Sequence, residues 1–225
     1  MKKISLAGIL IGAMFLVSGA QARDFAGELD IGTTGLGAHL VSPITPTVNG
    51  RIGFNAFNYT YSSSTANANY DFKLKAQTID LLADWYPSAN GFHVTGGLIF
   101  NGNKIDMRGK PNNAGNFTFQ GNTYASAQAG SVVGRADFRS TAPYLGIGFG
   151  NPMTNAAGGW GFTSDLGAMF QGSPNTTLRS EGCTASVATC AQLASDLVLE
   201  NARLRDKVKN ANVYPVLRIG ASYRF

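Results

Sequence analysis

Charged residues, cysteine and histidine are all scarce in this chain. Charged residues make up 14% of the 225 positions, and there are two cysteines and two histidines. The basic excess is also small and scattered, because removing the two lysines at the N-terminus lowers the formal net charge from +5 to +3. Nucleic-acid binding needs clustered lysine and arginine, so we predict no nucleic-acid partner.

The lack of histidine argues against catalysis. His39 and His93 are the only histidines, and both are predicted to be structural residues inside the fold. Two thiols without a nearby histidine make a poor metal site, and no glycine-rich loop precedes a helix to hold a phosphate group. We therefore predict that the protein is not an enzyme and has no cofactor or metal. In an exported chain, Cys183 and Cys190 are predicted to form a disulfide that staples an outer loop.

Long apolar runs are absent except near the start. The run at residues 4–17 follows two lysines and precedes small residues in which Ala20 and Ala22 form an A-x-A cleavage site. This arrangement predicts a cleaved secretory signal peptide at 1–22 and a mature chain at 23–225. A membrane-spanning helix is the alternative, but the run is short and no stop-transfer charge cluster follows it.

What the chain does have is alternation of apolar and polar residues. Segments with this period lie near residues 25–31, 36–40, 48–56, 72–85, 92–101, 141–149 and 160–171, and turn residues separate them at 42–47, 87–91 and 151–159. The alternation changes parity at Gly32-Thr-Thr-Gly35, which predicts a turn or a bulge there, and again near Gln77 or Thr78, which predicts a bulge. Together with 28 glycines and few charges, this pattern is typical of a transmembrane β-barrel.

The last stretch, 213–225, carries the clearest alternation. One face holds Val213, Leu217, Ile219, Ala221, Tyr223 and Phe225, and the other holds Tyr214, Arg218, Gly220, Ser222 and Arg224. One face suits lipid and the other suits a polar interior. The spacing of Arg218, Gly220, Tyr223 and Phe225 looks like the C-terminal signal that hands outer-membrane proteins to the barrel-assembly machinery. If these apolar residues packed on a second layer instead, the protein would be a secreted sandwich.

Topology follows from the lengths of the connections. Both ends of such a barrel lie in the periplasm, with short turns on that side and long loops outside. The segments 103–137 and 173–211 are then extracellular loops, the first with a short strand-like piece at 116–120 and the second with an amphipathic helix at about 191–210. Seven strands follow residue 35, so an eighth must precede it, with a tight hairpin at Gly32–Gly35. We therefore predict an all-β, eight-stranded antiparallel transmembrane barrel.

Several short motifs, in this order, resemble one known family. They are Gly32-Thr-Thr-Gly35 with Gly37, Gly121-Asn-Thr-Tyr124, the stretch Ala142-Pro-Tyr-Leu-Gly-Ile-Gly-Phe149, Gly172-Ser-Pro174, and a charged helix running into Pro215-Val216 and Gly220. Together they look like the carbapenem-associated outer-membrane proteins (CarO-like) of Gram-negative bacteria. The resemblance implies a monomeric eight-stranded barrel in the outer membrane, proposed to pass small or basic amino acids such as ornithine and linked to carbapenem entry. The cysteine pair is not part of the family pattern.

Alternation also predicts which charges meet inside the barrel. The inward set is Glu28, Asp30, Arg51, Lys73, Lys75, Asp80, Asp84, His93, Asp165, Arg218 and Arg224. An eight-stranded barrel is just wide enough for side chains to fill it, and opposite charges at matched heights can pair there. These charges are predicted either to plug the barrel or to line a path for a small zwitterion.

Two functions of different classes therefore remain open. The first is a narrow passive channel for small basic or zwitterionic solutes such as amino acids. The second is a non-conducting structural or surface-interaction barrel that acts through its extracellular loops. The predicted partners are outer-membrane lipid, the assembly machinery and, for the channel, amino-acid-like solutes.

Overall fold

A computed structural model describes residues 25–64, 69–88, 90–154 and 158–225. The predicted signal peptide, 1–22, lies outside these residues. In chain order, the strands are β1 Ala26–Gly32, β2 Gly35–Thr45, β3 Val48–Ser64, β4 Asn69–Trp85, β5 Phe92–Asn101, β6 Lys104–Lys110, β7 Asn116–Phe119, β8 Asn122–Ala125, β9 Ser131–Asp137, β10 Thr141–Phe149, β11 Trp160–Met169, β12 Asn175–Glu181 and β13 Tyr214–Arg224. The helices are α1 Ser126–Ala129 and α2 Val187–Val208, with a 3-10 turn at Pro152–Thr154.

Eight of the strands close into a ring. The order around the ring is β1, β2, β3, β4, β5, β10, β11 and β13, every pair is antiparallel, and β13 pairs with β1 to complete it. Closure leaves no free sheet edge within the ring. The predicted eight-stranded antiparallel barrel is confirmed.

The strands turn their apolar side chains outward and their polar side chains inward. On β13, Leu217 and Ile219 are each 52% exposed, whereas Arg218 between them is 1% exposed. Exposed aromatic residues gather near the short turns and the chain end, namely Trp85, Phe92, Phe149, Trp160 and Phe225. An apolar outer face with such a girdle is the surface of a membrane barrel, and no second layer formed by the described residues covers these side chains.

Among the residues that the structure describes, no helix is long and apolar enough to cross a membrane.

The first hairpin lies at the predicted parity change. Only Thr33 and Thr34 separate β1 from β2, and Gly35 begins β2 with a φ of +102°. Residues with a side chain rarely adopt that backbone conformation, and a Cβ at Gly35 would also lie 2.3 Å from the carbonyl oxygen of Ala56. The turn therefore requires glycine, and the predicted location of the hairpin is confirmed.

Two local predictions are wrong. The turn predicted at 42–47 is restricted to residues 46–47, because β2 continues to Thr45 across an irregularity between Pro43 and Thr45. No bulge occurs near Gln77 or Thr78, since β3 and β4 stay in register along their whole length. The apolar residues change face for another reason: above the ring, the face of β4 that continues the barrel interior carries the partly buried Phe72 and Leu74 in place of charged residues.

Most of the segment 103–137 is folded, although it was predicted to be a loop with one short strand. Strands β3 and β4 are each 17 residues long and rise beyond the ring, so the upper half of β4 offers a free edge. Strand β6 pairs with that edge, β9 pairs with β6, and β12 pairs with β9. We call this sheet, made of β6, β9, β12 and the upper halves of β3 and β4, the extension.

A small domain packs against one face of the extension. It consists of the β7–β8 hairpin, α1 and α2, and we call it the cap. Its core is formed by Phe117, Phe119, Tyr124, Ala129, Leu193 and Leu197, together with Val132 of β9 from the extension. Helix α2 starts four residues earlier than predicted, because the Ser186 side chain accepts a hydrogen bond from the Thr189 amide at its N-terminus. The predicted disulfide is present and joins Cys183, which precedes α2, to Cys190 in the first turn of that helix.

Candidate functional site

The interior of the ring is the first place to look for function, because most of the predicted charges meet there. Eight of the eleven predicted lumen residues are buried inside the ring, namely Glu28, Asp30, Arg51, Asp80, Asp84, His93, Asp165 and Arg218. They form two clusters, each organised by one arginine. Because each strand contributes only one or two of these side chains, the clusters exist only when the ring is closed.

The first cluster surrounds Arg51 on β3 and consists of Glu28, Arg51, Asp84, His93 and Asp165. The guanidinium binds Asp165 through both terminal nitrogens, at 2.7 and 2.9 Å, and donates to Asp84 at 3.0 Å. Glu28 lies 3.6 Å from Nη1, and His93 Nε2 lies 3.2 Å from Asp165. We call this group the Arg51 cluster. Its members come from five different strands, so it ties the ring together across its interior.

The second cluster surrounds Arg218 on β13. Its Nη2 lies 2.7 Å from Asp80, and its Nε donates to the Thr34 hydroxyl at 3.2 Å. His39 lies between two carboxylates, with Nδ1 2.8 Å from Asp30 and Nε2 3.2 Å from Asp80. Both ring nitrogens can donate only when the imidazole is protonated. We call Asp30, His39, Asp80 and Arg218 the Arg218 cluster.

Several interior residues were absent from the predicted charge network. The most important is His39, which links Asp30 on β1 to Asp80 on β4. Neutral donors also complete the clusters: Asn55 donates to Asp80, Thr95 to Asp84 and Thr163 to Glu28. All of them occupy inward positions of their strands, so parity alone could have found them.

Three predicted lumen residues lie outside these clusters. Lys73 and Lys75 are on the part of β4 above the ring, on the face opposite to the interior, and Lys75 pairs with Asp106 of β6 at 2.6 Å. Their placement inside was wrong because the expected bulge that would have turned them inward does not exist. Arg224 lies at the other end, where it donates to the Met153 carbonyl in a short turn.

Apolar side chains fill the remaining part of the interior. Leu82, Ile99, Ala142, Tyr144, Met169 and Val216 come from five strands of the ring and form one buried cluster, which we call the apolar plug. Four of its members have no exposed surface at all. A water-filled path along the axis would expose these side chains and those of the charge clusters. In this conformation the interior is therefore closed to water at these levels.

The charges inside the described ring do not balance. Five buried carboxylates, Glu28, Asp30, Asp80, Asp84 and Asp165, face two guanidinium groups, and His39 and His93 supply the other ionisable donors. Uncompensated buried charge is costly. Arg51 therefore holds three carboxylates, whereas Arg218 pairs with Asp80, which His39 also contacts. Within the described ranges, no group of three or more histidine, cysteine, aspartate or glutamate side chains is placed to hold a metal ion.

Gly53 is required for the Arg218 cluster, which gives a first prediction. A Cβ at Gly53 would lie 1.9 Å from the His39 ring, and His39 cannot retreat because carboxylates hold both of its nitrogens. We expect G53A to lower the free energy of unfolding by about 1–3 kcal/mol through overpacking. Urea unfolding of the detergent-solubilised barrel, followed by tryptophan fluorescence, measures this loss.

The matched control is G96A on β5, where an added Cβ would meet no atom within 4 Å. It is expected to unfold within about 0.5 kcal/mol of the unsubstituted protein. Equal unfolding midpoints for G53A and G96A would contradict the tight fit described for His39.

The cap contains a buried carboxylate of its own. Asp196 on α2 accepts hydrogen bonds from the Tyr124 hydroxyl at 2.6 Å, from Asn122 at 2.8 Å and from Gln192 at 3.0 Å. These bonds, that of Tyr124 above all, hold the pKa of Asp196 below its usual range. Burial, followed by the bond to Asp196, raises the pKa of Tyr124 to about 12. The ionised Asp196 therefore fastens α2 to the β7–β8 hairpin.

This arrangement predicts how the stability of the cap depends on pH. Because the folded-state pKa of Asp196 lies below the unfolded value of 3.8, the stabilisation is present above about pH 4 and is lost as pH falls further. We expect α2 to unfold at a lower urea concentration at pH 3 than at pH 6, as measured by the helical signal in circular dichroism. D196N should lose most of this difference, whereas D206N, which changes an exposed acid on the same helix, should keep it. A full difference in D196N would contradict the prediction.

The closed ring, its apolar belt and its filled interior define the class of protein: an integral-membrane β-barrel with a folded domain at one end. No protein-family model matches the chain, and a search of curated proteins finds no match. Solved structures that share its fold are Acinetobacter baumannii CarO2, with a TM-score of 0.56, 24% identity and coverage of 90% of this chain and 98% of that one, and Acinetobacter baumannii CarO, with a TM-score of 0.55, 23% identity and coverage of 92% and 100%. At these identities the likeness is one of fold, and at that level the predicted resemblance to CarO is confirmed.

Proposed function

We propose that this protein is an outer-membrane β-barrel that is closed to solutes and acts through its cap at the cell surface. The predicted signal peptide, the apolar belt and the shared fold with CarO support this location. Outer-membrane barrels have their short turns in the periplasm, so in this protein the extension and the cap lie outside the cell. We further propose that the barrel is a monomer, because its ring needs no partner to complete it.

The observation that carries the proposal is the packed interior. Two charge clusters and the apolar plug together occupy it, and their side chains are nearly all excluded from solvent. At the other end, the cap has its own apolar core, a disulfide and a buried carboxylate. Such an ordered domain contrasts with a flexible loop and provides a fixed surface for a partner.

Planar-bilayer recordings of the refolded protein test the closed state. We expect no stepwise conductance above that of the bilayer, while a heat-dependent shift in gel mobility shows that the barrel is folded. A general porin recorded in the same bilayers serves as the positive control. Reproducible conductance steps from the folded protein would overturn the closed-barrel proposal.

Epitope insertion tests the orientation. An epitope placed after Asn113, between β6 and β7, should bind antibody on intact cells. The same epitope placed after Ser88, in a short turn, should bind antibody only after the outer membrane is opened. The reverse result would show that the cap faces the periplasm and would end the surface-interaction proposal.

The second candidate is a narrow passive channel for small basic or zwitterionic solutes. The observation in its favour is the pair of arginine-centred clusters, since a solute with both charges could replace one arginine–carboxylate contact. This function requires the apolar plug to move. Uptake of radiolabelled ornithine into proteoliposomes would support it if the rate exceeded that of empty vesicles, and an equal rate would exclude it.

We also propose that the last strand delivers the chain to the assembly machinery. The Tyr223 ring lies 5.1 Å from the Trp160 ring and 5.2 Å from the Phe225 ring, measured between centroids. In the folded barrel these rings are part of the outer aromatic girdle. Before the barrel folds, the same rings are available for recognition by the assembly machinery. Removing Phe225 should lower the amount of folded barrel in outer-membrane fractions, and unchanged amounts would contradict this role.

A further inference from the structure

A basic groove lies on the outer face of the extension, just above the apolar belt. It has a volume of about 720 Å³ and is formed by all five strands of the extension, with Thr60, Lys73, Arg108, Val133 and Arg179 among its residues. We call it the outer groove. It faces away from the cap, because residues of β9 that alternate with the lining residues, such as Val132 and Ala136, are buried on the opposite face.

The groove carries more positive than negative charge. Four ion pairs cross its surface, namely Lys75–Asp106, Lys110–Asp71, Arg135–Asp137 and Arg179–Glu181, at 2.6–2.7 Å. These pairs occupy the three acidic side chains that line the groove, Asp71, Asp106 and Glu181, and also Asp137 at its edge. Within the described part of the chain, no ion pair is formed by Lys73, Lys104 or Arg108. Each of these three cations lies directly opposite an acid, namely Asp106, Asp137 and Asp71, but that acid forms its ion pair with a different cation. The groove and its edge therefore carry more positive than negative charge, and the excess is available to an outside anion.

The strand register places like charges face to face. Lys75 of β4 is directly opposite Lys104 of β6, and Lys73 is the next residue on the same face. Directly opposed like charges destabilise an antiparallel pair, and Asp106 is the only acid among these four neighbouring positions. An anion lying over Lys73 and Lys104 would relieve this repulsion.

The height of the groove indicates where such an anion comes from. Along the outer face of β4, exposed Leu81 and Ile79 are followed by Gln77, Lys75 and Lys73. Two residues span about 6.6 Å along a strand. Because the strands of a membrane barrel are tilted, this corresponds to about 5 Å along the membrane normal. Lys75 therefore lies roughly 10 Å above Ile79, and the headgroup layer is roughly 5–8 Å thick. Long lysine side chains at this level reach lipid phosphates.

We propose that the lower end of the outer groove binds the phosphate of a lipid headgroup through Lys73 and through Lys104 at its edge. The groove continues the lipid-facing side of the barrel, which favours a lipid over a soluble acidic protein. This inference rests on the membrane location proposed above but adds a specific site.

The test uses the full-length folded barrel in detergent with short-chain lipids. Native mass spectrometry compares binding of dihexanoylphosphatidylglycerol with that of dihexanoylphosphatidylcholine for the unsubstituted protein, K73Q/K104Q and K207Q/K209Q. The last variant loses the same charge from exposed positions on and just after α2. We expect the unsubstituted protein and K207Q/K209Q to prefer phosphatidylglycerol, and K73Q/K104Q to bind it about thirtyfold more weakly, since each basic residue near an anionic surface contributes about 1 kcal/mol.

The outcomes separate the possible explanations. Equal binding of both lipids, or full binding by K73Q/K104Q, would overturn the inference. If inorganic phosphate binds more tightly than dihexanoylphosphatidylglycerol at matched ionic strength, the site takes free phosphate and the lipid assignment is wrong. Stronger binding of a soluble polyglutamate peptide than of either lipid would assign the groove to an acidic protein instead. If the barrel fails to insert into bilayers at all, the proposed function fails as well, so the two failures can be told apart.

Discussion

Replacement of Arg51 by methionine is expected to lower the free energy of unfolding by about 3–5 kcal/mol. Arg51 is the centre of a buried cluster in which Asp165, Asp84 and Glu28 all lie within 3.6 Å of its terminal nitrogens. Methionine fills a similar volume but carries no charge. The three carboxylates would then be left in the interior without a guanidinium. Removing one partner of a buried ion pair destabilises a protein much more than replacing the whole pair with apolar residues.

Urea unfolding of R51M in detergent, read by tryptophan fluorescence and by heat-dependent gel mobility, measures the loss. The matched control is R135M, because Arg135 is also on a strand and paired with an aspartate but lies on the exposed face of the extension. It should cost less than about 1 kcal/mol. Adding D84N and D165N to R51M should restore part of the stability by removing two of the uncompensated charges. A loss below 1 kcal/mol for R51M would contradict the structural role given to the cluster.

Replacement of Leu193 by aspartate is expected to unfold the cap and leave the ring intact. Leu193 has no exposed surface and packs with Phe117, Phe119 and Leu197 in the cap core. A charge buried there has no partner, so α2 should detach from the extension. The ring should survive, because its eight-strand ladder closes on itself without any residue of α2.

Limited trypsin digestion reports on this local unfolding. We expect cleavage at Arg203 or Arg205 of L193D to be about a hundredfold faster, which corresponds to about 3 kcal/mol. The heat-dependent gel mobility of the uncut barrel should be unchanged. V198D is the control, since Val198 lies on the same helix and is 66% exposed. If L193D abolished the folded barrel as well, the cap and the ring would be one cooperative unit, contrary to this description.

The barrel could be predicted from amino-acid order because alternation is a local property. On each strand of the ring, the side of the sheet that a residue faces depends only on whether its position is odd or even. A one-residue slip would move charged Arg218 outward and apolar Leu217 inward, so register is strongly specified. The same reasoning located the first hairpin at Gly32–Gly35, where the parity changes and glycine is required.

The cap and the extension could not be predicted in the same way. Their strands β6, β9 and β12 are short and rich in small or polar residues, and their stability comes from pairing with the overhanging edge of β4. That edge exists only because β3 and β4 outgrow the ring. The misplacement of Lys73 and Lys75 has the same origin: parity reveals which face a side chain occupies, but not whether that part of the strand still belongs to the barrel.

Parity along the chain was therefore enough to establish that charged side chains fill the ring and apolar ones surround it. Which charges meet was settled only by the closed ring, because contacts such as Arg51 with Asp165 join residues 114 positions apart. His39 entered the network for the same reason, since β1 and β4 bring Asp30 and Asp80 to its two nitrogens. Pairings of this kind depend on the order and stagger of all eight strands, which no single stretch of sequence encodes.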